Sequence, residues 1–207
     1  MSSSTLLAHA LQTGRFHIGE ILLRADFTLR HADDRSADDL DIFNDPCAAR
    51  EIARYDAQGN YRPLKTAPNL KRGWLLQAGS VETMELALEF FYPAALGLWA
   101  SYLKGSLHPT SFRETLSRQT GMYRVTQLLT DTQAEQLVAQ SCNSENGCLR
   151  TILWKMNSEQ PVTSLPISKL ILDDLPSDRI PLICRELCNL VVAAARPIAK
   201  TNLPKSS

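Results

Sequence analysis

Ser141-Cys142-Asn143-Ser144-Glu145-Asn146-Gly147-Cys148-Leu149 and Ile183-Cys184-Arg185-Glu186-Leu187-Cys188-Asn189 hold four of the five cysteines of the chain in two pairs. Five residues separate the first pair and three the second. The second spacing puts two thiols one turn apart on one helix face. The first wraps around Asn146-Gly147, a dipeptide suited to a tight turn. One clip on a loop and one on a helix can close on a single metal centre, which makes Cys142, Cys148, Cys184 and Cys188 the candidate ligands.

The whole chain narrows the setting. Its 207 residues suffice for one large domain or two small ones, so disulfides are not needed to compensate for a small core. Lys+Arg and Asp+Glu are both 22, which argues against a general nucleic-acid or membrane-surface binder. The start, Met1 to Gln12, lacks a cationic region and a long apolar core and reads as a poor signal peptide. No apolar run reaches the roughly 18 to 20 residues of a membrane span. The nearest, around Leu86 to Leu103, is interrupted by Glu89 and Pro93 and closed by Lys104. A cytoplasmic protein is expected, and in a reducing compartment clustered cysteines are more often metal ligands or redox groups than disulfides.

Upstream of the cysteines, residues 1–14 read as a tail or a short helix, and Phe16, Ile18, Leu22, Phe27 and Leu29 predict two short strands joined near Ala25-Asp26. The acidic run Asp33 to Asp39 reads as a solvated loop, since it matches no calcium-loop spacing. Asp45 and Pro46 form an N-cap and first helical residue for a helix over Cys47 to Asp56, in which Cys47 is expected to pack as a small hydrophobe. The irregular run from Asn60 to Trp74, with its cations and aromatics, is expected to lie across the surface. Ser80 caps a helix from Val81 to Phe91, Pro93 breaks it, and a second piece runs from Ala94 to Leu103. The rings of this stretch are expected mostly in the core.

Ser111 and Glu114 form a capping box for a helix over Phe112 to Gln119. Arg113, Arg118 and Arg124 recur beside His108 and Tyr123 and are the candidate contacts for an acidic ligand. The plainer reading, a solvated helix face paired with Glu114, is favoured by the pattern. Thr130 and Gln133 form a further capping box, opening a helix from Asp131 to Gln140 that leads into Cys142. Cys148 to Trp154 favours a strand. The final helix is expected from Ile180 to Arg196, with Asp178 as cap and Pro197 at its end. Cys184 and Cys188 would then lie in its first turns, where the helix dipole favours thiolate.

Four soft anionic ligands suit a 4Fe-4S cluster, and the same four thiolates suit zinc. Zinc sites usually hold their cysteine pairs at shorter spacing than the five-residue gap here, which puts iron and sulfur ahead of zinc, with reduced thiols as a third reading. No phosphate-loop or dinucleotide fingerprint is present, and His9, His17, His31 and His108 are scattered without HExxH. No catalytic motif supports an enzyme.

The segments Arg62 to Trp74, Phe91 to Ala95, Gln119 to Arg124, Gly147 to Trp154 and Pro181 to Ala195 resemble the non-catalytic part of certain CbiX-like proteins. In that family a chelatase-like domain related to sirohydrochlorin cobaltochelatases is followed by a stabilising region and a 4Fe-4S-binding domain. The resemblance implies a 4Fe-4S centre on Cys142, Cys148, Cys184 and Cys188 and a link to tetrapyrrole metabolism. These residues include no chelatase domain and no chelatase-like histidine pair, so metal insertion by this chain alone is not expected.

The expected architecture is α+β and mainly helical, with a small N-terminal β-ribbon and a C-terminal iron-sulfur-binding unit. Its divisions are a flexible tail over 1–14, a stabilising region over 15–125, a cluster-binding domain over 126–200 and a second tail over 201–207. The expected function is that of an iron-sulfur redox accessory with a redox partner or tetrapyrrole-pathway enzyme. The alternative is an interaction module held together by zinc.

Overall fold

The computed structural model describes residues 2–55, 61–64, 72–104, 106, 110–111, 128–141, 150–152, 154–157, 160–161, 178–184 and 189–202. The chain divides into two compact units, Met1–Leu107 with Leu175–Leu182, and His108–Asp174 with Ile183–Ser207. The boundary expected at 125/126 lies outside the described residues.

In chain order the elements are α1 (Ser3–Gln12), β1 (His17–Ile18), β2 (Ile21–Leu23), β3 (Thr28–His31), β4 (Asp41–Phe43), α2 (Ala49–Ile52), β5 (Ala53–Tyr55) and β6 (Tyr61–Pro63). They continue with β7 (Trp74–Gln77), α3 (Val81–Phe91), α4 (Ala95–Leu103), β8 (Thr110–Ser111), α5 (Asp131–Ser141), β9 (Thr151–Ile152) and β10 (Trp154–Asn157). The last are β11 (Gln160–Pro161), β12 (Arg179–Ile180), β13 (Ile183–Cys184) and α6 (Asn189–Thr201). Helix and sheet are thus mixed, in keeping with the α+β class.

Phe27 lies in the turn between β2 and β3 with φ +60°, and in place of two strands Ile18, Leu22 and Leu29 lie on three, β1, β2 and β3, within a wider sheet. Its order is β12-β1-β2-β3-β7-β4, with parallel pairs at both edges and antiparallel pairs between. Ile18, Ile21, Leu23, Leu29 and Leu76 are fully buried, so the central strands are covered. Burying such side chains stabilises by roughly 1.5–3 kcal/mol each.

Helices α3 and α4 cover this unit's core as the sequence predicts. The Ser80 hydroxyl accepts from the Thr83 amide, and Pro93 lies in the break, after which the two axes diverge by 106°. The Glu89 carboxylate accepts from the Ala94 amide across that break at 2.9 Å. Met84, Ala87, Leu88, Phe91, Ala95, Leu96 and Trp99 point inward. Trp74 stacks on Phe91 with ring centroids 5.2 Å apart and donates its indole N–H to the Leu64 carbonyl at 2.9 Å, so its one polar group is satisfied inside the core. No helix among the described residues is long and apolar enough to cross a membrane.

Several expectations are corrected. Of the two readings of the N-terminus, residues 3–12 form the short helix rather than a tail. Ser2 caps α1, Leu6, Leu7, Ala10 and Leu11 are buried against α3 and α4, and Ser3 and Ser4 both donate to the Glu85 carboxylate. Asp45 does cap the turn at Pro46, accepting from the Cys47 amide at 2.9 Å, but the helix stops at Ile52 because Ala53–Tyr55 pairs with β6 as a strand. Cys47 is exposed rather than packed. The acidic run is only partly solvated, since Asp34 is buried beside Gly73, where a Cβ would overlap its carboxylate.

In the second unit the Thr130 amide donates to the Gln133 side chain and the Gln133 amide to the Thr130 hydroxyl, forming the expected capping box of α5. Leu129, Ala134 and Leu137 are buried there, as are Val191, Val192, Ala195 and Ala199 on α6, against which α5 packs. The final helix differs from expectation. Residues 179–180 and 183–184 are strands, pairing as β12 with β1 and as β13 with β9, and the described helix is α6, Asn189–Thr201. It continues through Pro197, whose missing N–H costs one backbone bond while Ala195 and Ala199 remain buried on either side.

Candidate metal centre and the His17 pocket

Of the candidate ligands, Cys184 is described, and Cys142, Cys148 and Cys188 lie outside the described residues, as do Arg113, Arg118 and Arg124. Cys184 is half-buried at the end of β13, level with Ile152 of β9 in a parallel pair. Because it sits on a strand, the helix-dipole argument for its thiolate no longer applies. Among the described residues no three His, Cys, Asp or Glu side chains are grouped to hold a metal ion.

The described elements nevertheless order the chain around the cysteines. Helix α5 ends at Ser141, one residue before Cys142, and α6 begins at Asn189, one residue after Cys188. At the opposite end of the helix pair, the Asn202 amide group donates to the Gln133 side chain at 2.8 Å and to the Leu128 carbonyl at 2.7 Å. The start of α5 therefore meets the end of α6. Strand β9 starts three residues after Cys148 and lies beside Cys184. By donor chemistry alone, four thiolates are a set that a soft metal centre takes.

A second constellation, in the first unit, was not legible in the sequence. His17 on β1 is 7 % exposed, and its amide donates to the Asp178 carbonyl at 2.9 Å. Its Nε2 lies 2.7 Å from an Arg35 guanidinium nitrogen and 3.6 Å from the Asp178 carboxylate. Arg35 can only donate, so the shorter contact requires an unprotonated Nε2 and a neutral ring with its hydrogen on Nδ1. Burial pushes the His17 pKa below the usual imidazole range; Asp178 opposes that shift and Arg35 and Arg179 add to it. His17, Arg35 and Asp178, with Arg24, open on a pocket of about 440 Å³ walled by Phe16, Leu22 and Leu23.

The lowered pKa sets the sign of a pH effect. As pH falls below about 6.5 the unfolded chain takes up the proton first, so the stability contributed by neutral His17 is present above that range and is lost as pH falls through the folded-state value. Between pH 7.5 and 5.5, chemical denaturation of the native chain should therefore show a larger loss of stability than that of His17→Gln. Parallel profiles would show that His17 titrates alike folded and unfolded.

Two families match in succession. Residues 5–102 match the DR2241 stabilising domain, and residues 104–197 match the 4Fe-4S iron-sulfur cluster binding domain. The crystal structure of DR2241 from Deinococcus radiodurans, a multi-domain protein described as structurally similar to chelatases with two additional novel domains, is 32% identical, with a TM-score of 0.65. The likeness covers 96% of this chain and 41% of that one. Comparison with the curated proteins finds no match. The resemblance to a stabilising region followed by a 4Fe-4S-binding domain is thereby shown.

Proposed function

We propose that this chain, a DR2241-type stabilising domain followed by a 4Fe-4S binding domain, holds a 4Fe-4S cluster on Cys142, Cys148, Cys184 and Cys188 and serves as a redox accessory in tetrapyrrole metabolism of the cobalamin or sirohaem type. The observation that carries this reading is the extent of the second match. Residues 104–197 include all four paired cysteines, whereas exposed Cys47 falls within the first match. Bound there, the cluster supplies one-electron storage. The protein's part is to hold four thiolates and shield them, and half-buried Cys184 on a paired strand suits that part.

The tetrapyrrole link rests on the chelatase-like neighbour, of which this chain spans 41%. A chelatase-like domain is accordingly the proposed partner, with Arg113, Arg118 and Arg124 as contacts for its surface or for an acidic ligand. Purification without air tests the cluster. The expected result is about four irons and four sulfides per chain, with broad visible absorbance that bleaches on reduction. Zinc alone would establish the structural-zinc reading instead.

A further inference from the structure

We propose that the pocket at His17 is a binding site for a small organic oxyanion, a carboxylate or a phosphate monoester with an apolar body, gripped by Arg35 and Arg24. Its volume, about 440 Å³, lies in the range of small-molecule sites, roughly 300–1,000 Å³. Phe16, Leu22 and Leu23 supply the apolar wall. The polar groups are two guanidiniums, one neutral imidazole and one carboxylate, so the local balance is positive in a chain whose net charge is zero. That excess belongs to the pocket and not to the surface as a whole.

The arrangement is also built. Arg35 is held at 2.7 Å by a buried imidazole, which uses one of the five donors of its guanidinium and leaves the rest to a ligand. Among the described residues no carboxylate lies within ion-pairing distance of Arg35 or Arg24. Asp178 approaches the same imidazole nitrogen without pairing with Arg35. An oxyanion bound bidentately to Arg35 completes the missing ion pair. Asp178 opposes a second negative charge there and can accept from a hydroxyl or amino group on the ligand.

The test uses the full chain, with phenyl phosphate and benzoate as probes at constant ionic strength, read by the imidazole NMR shifts of His17. Saturable binding of either probe is expected, and the arm that saturates at lower concentration identifies the preferred oxyanion. Arg35→Gln should weaken binding at least about tenfold, and Asp178→Asn should tighten it by removing the competing charge. Should Arg35→Gln fail to fold, Arg24→Gln provides the same comparison. Shifts that stay linear with both probes and match a sodium chloride control, or undiminished affinity in a folded arginine variant, would overturn the proposal. Cluster content does not enter this readout, so the result stands apart from that of the iron-sulfur reading.

Discussion

Replacing Cys184 by serine should lower bound iron and sulfide at least about tenfold, because one of four thiolates would be exchanged for a hard oxygen donor that suits iron-sulfur centres poorly. The same loss is expected for Cys142→Ser, Cys148→Ser and Cys188→Ser, each prepared without air and assayed for iron, sulfide and visible absorbance. Cys47→Ser should bind as the native chain does, since Cys47 is exposed in the turn at Pro46 and falls within the stabilising-domain match. The substitution at Cys184 is nearly isosteric and sits on β13, which pairs through backbone groups. Its effect on the cluster should therefore be separable from unfolding by circular dichroism. Cluster loss in Cys47→Ser with retention in Cys142→Ser would overturn the ligand set.

Local signals explain which elements were legible beforehand. Ser80 and Pro93 delimit α3, and Thr130 with Gln133 opens α5; each acts within four residues, and each helix forms as read. The stretch Arg179-Ile180-Pro181-Leu182-Ile183-Cys184 was misread for the opposite reason. A proline near the start of an apolar run opens a helix or begins a strand equally well, and what decides here are pairings with His17, Ile18, Thr151 and Ile152. Those partners are remote in sequence, so no local pattern reports them. The His17 pocket was hidden likewise: Asp178 reaches it from 161 positions along the chain, and Arg35 from within a run read as acidic loop. The four cysteines stand out as a set by residue type and spacing alone, while the pairing of α5 with α6, which flank them in the chain, depends on packing that no local pattern reports.

Gly19→Ala should destabilise the first unit by about 2–4 kcal/mol in chemical denaturation. Gly19 sits in the two-residue turn that returns β1 to β2, where Ile18 pairs with Ile21, and its φ is +55°, a conformation that side chains with a Cβ adopt only at a cost. A Cβ there would overlap the Tyr92 hydroxyl and lie 2.9 Å from a Leu182 methyl. Tyr92 cannot withdraw without loss, because it is buried at the break between α3 and α4 and its hydroxyl accepts from the Glu20 amide at 2.9 Å. The overlap therefore displaces either the helical break or the turn. Gly79→Ala separates the two contributions. Gly79 has φ +76° with open space where its Cβ would stand, so it should lose only the backbone part, about 1 kcal/mol. Equal losses at the two glycines would show that the close approach of Tyr92 contributes nothing. The turn also follows His17 by two residues, and a displaced β1 moves the imidazole that holds Arg35. Gly19→Ala should accordingly weaken binding of phenyl phosphate or benzoate as well as the fold, whereas Gly79→Ala should leave that binding unchanged.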